Sequence, residues 1–100
     1  MTNKELIYNE AQSPMIGVEE NLNFRRVQLY IYRTVYDLIK QDLSRENLIA
    51  KLKALAAQMM FKSNNYFTFE INETATDIEM EFFITKHQMS RALFKITYDS

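Results

Sequence analysis

Cysteine is absent from the chain, which excludes disulfides, thiolate metal sites and cysteine nucleophiles. A reducing compartment, the cytoplasm, is the matching expectation. One glycine and one proline leave little material for tight positive-φ turns and none for a glycine-rich phosphate loop. Neither sign of charge is in excess, with 12 Lys and Arg against 13 Asp and Glu and a formal net charge of −1. That balance removes the global basic field of a nucleic-acid binder and the acidic excess of a DNA mimic. No apolar run approaches membrane-spanning length. The opening M-T-N-K-E-L-I-Y-N-E also carries acids where a signal peptide needs an apolar stretch. A soluble, cytoplasmic protein is expected.

What is present is the composition of a folded chain. The 100 residues are 47% hydrophobic and include seven Phe and six Tyr, enough for one core without a metal or disulfide staple. A charged fraction of 25% with almost no net charge is not the composition of a disordered chain. Richness in Lys, Asn, Ile and Tyr with little Gly and Pro suits an AT-rich bacterial or phage genome.

S-P-M-I-G at 13–17 is the only strong punctuation and separates an N-terminal arm, 1–18, from an α+β domain, 19–100. Within the arm, Leu6, Ile7 and Tyr8 fit a turn of helix or a short strand, and both readings stay open. After Glu19-Glu20, whose charge suits a helix N-terminus, two apolar rows recur at three- and four-residue spacing. One is Phe24, Val27, Ile31, Val35 and Leu38; the other is Leu29, Tyr32, Tyr36, Ile39 and Leu43. At 100° per residue the rows lie about 120° apart, a wider apolar arc than one packing partner needs. A second helix begins after Ser44 as N-cap with Glu46 in its first turn. It carries the stripe Leu48, Leu52, Leu55, Ala56 and Met59, opposite Lys51, Gln58 and Lys62, and S-N-N at 63–65 ends it.

From Tyr66 the period changes from 3.6 to 2, giving strands over 66–72, 77–85 and 91–98 joined by short hairpins. Centring each hairpin on its loop pairs Ile71 with Ile78 and Ile84 with Ala92. One face is then apolar: Phe67–Phe82–Phe94, Phe69–Met80–Ile96 and Ile71–Ile78–Tyr98. The other reads Tyr66–Phe83–Leu93, Thr68–Glu81–Lys95 and Glu70–Glu79–Thr97. A one-residue slip would mix the faces. The expected fold is an α+β two-layer sandwich of order α-α-β-β-β. Two long helices cover one face of a three-stranded antiparallel meander, with unprotected edges for which Met15–Val18 is an intramolecular mate.

Chemistry is sparse. His87 is the only histidine and sits at a hairpin tip with no second ligand beside it in sequence. Glu79 and Glu81 share a strand face, and Glu70 opposite Glu79 makes an acid pair that reads as an exposed, partly neutralised surface. No GxGxxG, GxxxxGK[ST], HExxH, GxSxG or EF-hand spacing occurs. Neither an enzyme nor a cofactor or metal is expected. Arg26, Arg33 and Lys40 fall seven apart and could follow a phosphate backbone while Tyr66 or Phe83 stacks on a base. Against this stand Asp37 in the same stripe and the acids of the outer sheet face.

Protein binding is the reading that uses the most residues. Tyr66, Phe83 and Leu93 form an outer-face strip beyond the reach of helices on the inner face, and Tyr32 and Tyr36 extend the helical arc. The arm residues Leu6, Ile7, Tyr8, Met15, Ile16 and Val18 compete to cover either surface. The expectation is a small non-enzymatic interaction module, an adaptor, inhibitor or regulator that pairs with a protein partner or with itself as a homodimer. Nucleic-acid binding through Arg26, Arg33 and Lys40 is the alternative.

Overall fold

The computed structural model describes residues 3–11, 18–86 and 91–99. Its first element is a strand, β1 (Asn3–Ala11), followed by two helices, α1 (Val18–Lys40) and α2 (Arg45–Lys62). Three strands complete it: β2 (Phe67–Glu73), β3 (Asp77–Ile84) and β4 (Arg91–Asp99). The α+β class expected from the change of period is the observed one. The sheet has four antiparallel strands rather than three, in the order β1-β4-β3-β2. The additional strand comes from the segment around Leu6-Ile7-Tyr8. It pairs along β4 and so occupies one of the two edges that a three-stranded meander leaves open.

Both helices pack on one face of the sheet. On α1 the first apolar row turns inward: Phe24, Ile31 and Val35 are buried, and Val27 and Leu38 are half-buried against the core. On α2 the single stripe is buried through Leu48, Leu52, Leu55 and Ala56. The α2 start follows its sequence signal, with the Asn47 N–H donating to Ser44 Oγ at 3.1 Å. The other end is a Schellman motif. Asn65 N–H donates to Met60 O at 2.9 Å and Asn64 N–H to Phe61 O at 3.1 Å. Asn64 and Asn65 have φ of 52° and 62°, the left-handed region that Asn tolerates better than most residues.

The inner and outer faces of β2, β3 and β4 are those the alternation assigns, but both hairpins are shifted by two residues. Ile71 pairs with Met80 instead of Ile78, and Phe82 rather than Ile84 lies opposite Ala92. A two-residue slip keeps every side chain on its own face, which is why hydrophobic parity alone could not detect it. In the first hairpin the turn chemistry decides. Thr74 N–H donates to Asp77 O at 2.9 Å, and Asp77 N–H donates to Thr74 Oγ1 at 2.9 Å. The loop therefore tightens to Ala75-Thr76, and β2 runs on to Glu73.

Phe82 is the centre of the core. Its ring stacks on Phe24 of α1 at 5.0 Å and on Phe69 of β2 at 5.2 Å. Phe94 of β4 lies at 6.1 Å and Phe67 of β2 at 6.3 Å. One ring thus ties a helix to three strands.

Arg45, at the start of α2, reaches the same hairpin turn. Its guanidinium Nη2 donates to the carbonyl of Thr74 and, at 3.2 Å, to that of Asp77. Arg45→Met, which keeps the apolar stem and removes the donors, should cost about 1–2 kcal/mol. That loss appears as a lower urea midpoint at unchanged slope. An unchanged midpoint would mean the turn closes on Thr74 and Asp77 alone.

Candidate interaction surface

On the outer face of β2, β3 and β4, acids are partly neutralised by two cations, Arg91 and Lys95. Thr68, Phe83 and Arg91 form one row, and Glu70, Glu81 and Leu93 the next. Arg91 Nη1 lies 3.0 Å from Glu81 Oε2 and 3.7 Å from Glu70 Oε2, so one guanidinium bridges two strands of acids. The same guanidinium covers the Phe83 ring at 4.3 Å. Lys95 lies opposite Glu79 and pairs with Asp77 at 3.5 Å. The acid pair expected at Glu70–Glu79 is instead Glu70–Glu81, with Arg91 between.

The strip Tyr66–Phe83–Leu93 is therefore not assembled. Phe83 is only 3% exposed, with Thr68 and Arg91 as its neighbours across the ladder. Leu93 is half-buried opposite Glu81. Tyr66 stands before β2, where the left-handed Asn64-Asn65 pair breaks the alternation. Its carbonyl accepts from Thr85 N–H at 2.9 Å. Its ring meets Phe67 edge-on at 4.9 Å and turns to the helical layer. There Tyr66, Asn23, Arg26, Val27, Ser63 and Phe67 line a groove of about 340 Å³. Met15, Ile16 and His87 lie outside the described residues.

Most of the exposed large hydrophobic side chains among the described residues are on α1, Ile7 of β1 and Phe61 of α2 being the others. Among the described residues, seven large hydrophobic side chains are exposed, and five belong to α1: Leu22, Leu29, Tyr30, Tyr32 and Tyr36. Leu22 is 55% and Leu29 51% exposed. Leu22, Leu29 and Tyr36 recur every seven residues, so they fall on one line along the crest of the helix, turned away from Ile31 and Val35. Tyr36 stacks in parallel with Tyr32 at 6.2 Å and 7°. Tyr32 meets Tyr8 of β1 edge-on at 6.3 Å. The strand thus props the β1-side flank of the crest, where Tyr8, Arg25, Gln28, Leu29 and Tyr32 enclose a groove of about 200 Å³.

The α2-side flank is basic. Arg26, Arg33 and Lys40 are exposed at seven-residue spacing, and Lys40 Nζ sits 4.1 Å above the Tyr36 ring. Arg45 and Arg91 are held by carbonyls and carboxylates. By contrast, no ion pair or side-chain hydrogen bond among the described residues engages Arg25, Arg26 or Arg33. Asp37, four residues after Arg33, makes no ion pair with it.

Of the sequence candidates, Tyr32, Tyr36, Arg26, Arg33 and Lys40 come together on this one helix, while Tyr66, Phe83 and Leu93 do not join them. Leu22 and Arg25 were missed. The seven-residue recurrence from Leu22 was the available signal. Among the described residues no group of three or more acids or histidines converges on a common point, and no helix is long and apolar enough to cross a membrane. No family model, curated protein or solved structure matches this chain.

Proposed function

We propose that this chain is a non-enzymatic protein-interaction module that binds its partner along the crest of α1, acting as an adaptor, inhibitor or regulator. The observation that carries the reading is that, among the described residues, five of the seven exposed large hydrophobic side chains gather on one helix. Single exposed hydrophobes are ordinary, but a line of them rimmed by charge is the pattern of a docking surface. The absence of cysteine suits action in a reducing compartment such as the cytoplasm.

Leu22 and Leu29 each have about half their surface left to cover, worth about 1–1.5 kcal/mol apiece on burial. Leu22→Ser/Leu29→Ser should therefore weaken the complex by about 30-fold or more. The wild-type chain, this double variant and a Lys51→Ser control on the solvent side of α2 serve as baits in extract of the native host. Any retained protein is identified, purified and titrated by calorimetry. A partner that binds wild type and control alike and loses affinity to the double variant supports the reading. Circular dichroism must show the variant folded. Equal affinity for both chains, or no protein retained by the wild type, overturns it.

A further inference from the structure

Resting on that reading, we propose that the element seated on the crest is an acidic amphipathic α-helix of the partner, laid along α1 in coiled-coil register. The spacing carries the first half of this statement. Leu22, Leu29 and Tyr36 recur at seven, and Arg25 and Tyr32 recur at seven three residues further on. Alternating steps of three and four are the seam that a second helix fills with knobs into holes. From Leu22 to Tyr36 the seam runs about 21 Å at 1.5 Å per residue, which matches a partner helix of about four turns.

Charge carries the second half. The α2-side flank of the seam is Arg26, Arg33 and Lys40, all exposed, in the positions that set partner choice in paired helices. Arg26 and Arg33 have no ion-pair partner among the described residues, although acids are as frequent as bases in the chain. A helix with Glu or Asp beside its apolar stripe pairs this row. The β1 side of the seam is bounded by Tyr8 against Tyr32 and offers the single cation Arg25, against three cations on the α2 side, so most of the partner's acids face α2.

The same row argues against the other occupants. A second copy packed antiparallel about a two-fold axis would place Arg33 against its own equivalent and Arg26 against Lys40, a repulsive arrangement. A phosphate backbone would satisfy the cations but leave Leu22 and Leu29 in water, and nothing in a duplex groove rewards two aligned leucines.

The probe is a helical peptide of three heptads with leucine at the seam positions and glutamate on both flanks. A matched peptide carries lysine on both flanks. Like charges on each peptide keep it from pairing with itself. Fluorescence anisotropy at physiological salt should show the glutamate peptide binding the wild-type chain about tenfold or more tighter than the lysine peptide, as three exposed ion pairs allow. Arg26→Glu/Arg33→Glu should reverse the preference, and Leu22→Ser/Leu29→Ser should abolish binding of both.

Equal binding of the two peptides, or binding of neither, overturns the proposal. So does tighter binding of a DNA or RNA oligonucleotide than of the glutamate peptide. A wild-type dimer in light scattering that Leu22→Ser/Leu29→Ser dissociates assigns the crest to a second copy and also overturns it. The two readings fail separately. If a host protein needs the crest leucines but neither peptide binds, the interaction surface stands and the acidic helix falls.

Discussion

Phe82→Ala is expected to cost about 3–5 kcal/mol, the range for deleting a large aromatic from a packed core. Phe82 is fully buried, and its partners come from elements that cannot all move inward together. Phe24 stands on α1, Phe67 and Phe69 on β2 and Phe94 on β4. A cavity at that junction therefore collapses poorly, which places the cost in the upper part of the range. Against a stability of about 5–15 kcal/mol for an ordinary domain, the loss is a large share. For about 100 residues each kcal/mol shifts Tm by roughly 4–8 °C, so the transition should fall by more than 12 °C. Phe82→Leu, which leaves most of the volume filled, should fall much less. Calorimetry on the pair checks this, and similar Tm values for the two would show that the rings repack around the gap.

Loss of β1 should be the second large effect. A chain beginning at residue 12 lacks the strand that pairs with β4 from Asp99 to Arg91. It also lacks Leu6 and Tyr8, which pack against the core, Tyr8 with its ring 4.9 Å from that of Phe94. Phe94 and Ile96, now buried, would border an open edge. Unpaired edges of this kind recruit other chains. The expected result is a urea midpoint lowered by the equivalent of about 3 kcal/mol or more, with a mass in light scattering that grows with concentration. A truncated chain with unchanged midpoint and mass would make β1 dispensable. Because Tyr8 also supports Tyr32, the truncation should loosen the crest of α1 and weaken partner binding in parallel.

How much of this could be read in the sequence differs from element to element. The stripe and caps of α2 were legible, because Ser44, the leucine spacing and the Asn pair are local signals whose chemistry does not depend on the rest of the chain. The faces of β2 to β4 were legible for the same reason. Their register was not: parity repeats every two residues, and in the first hairpin it is the Thr74–Asp77 hydrogen bonds that fix which even slip is taken. Tyr66 looked like a strand residue because it precedes Phe67, yet the positive φ values at Asn64 and Asn65 aim its ring elsewhere. Leu6, Ile7 and Tyr8 are too few to show a period of either kind. The two apolar rows of α1 were visible. Which of them faced inward was decided by the sheet, and the Leu22–Leu29–Tyr36 line was hidden among residues that also suit a core.

The sheet order β1-β4-β3-β2 also sets a timetable. The first strand made must wait for the last of the four before it finds its neighbour. At a synthesis rate of about 5–20 residues per second, the roughly 80 residues between β1 and β4 take about 4–16 s to emerge. During that interval β1 has no strand to pair with, whereas α1 and α2 can already form. The closing step then joins segments far apart in the chain, the kind of contact that makes folding slow for its size. Refolding of the purified chain should be limited by the zipping of β1 onto β4, while a nascent chain on the ribosome carries a formed α1 before its sheet is complete.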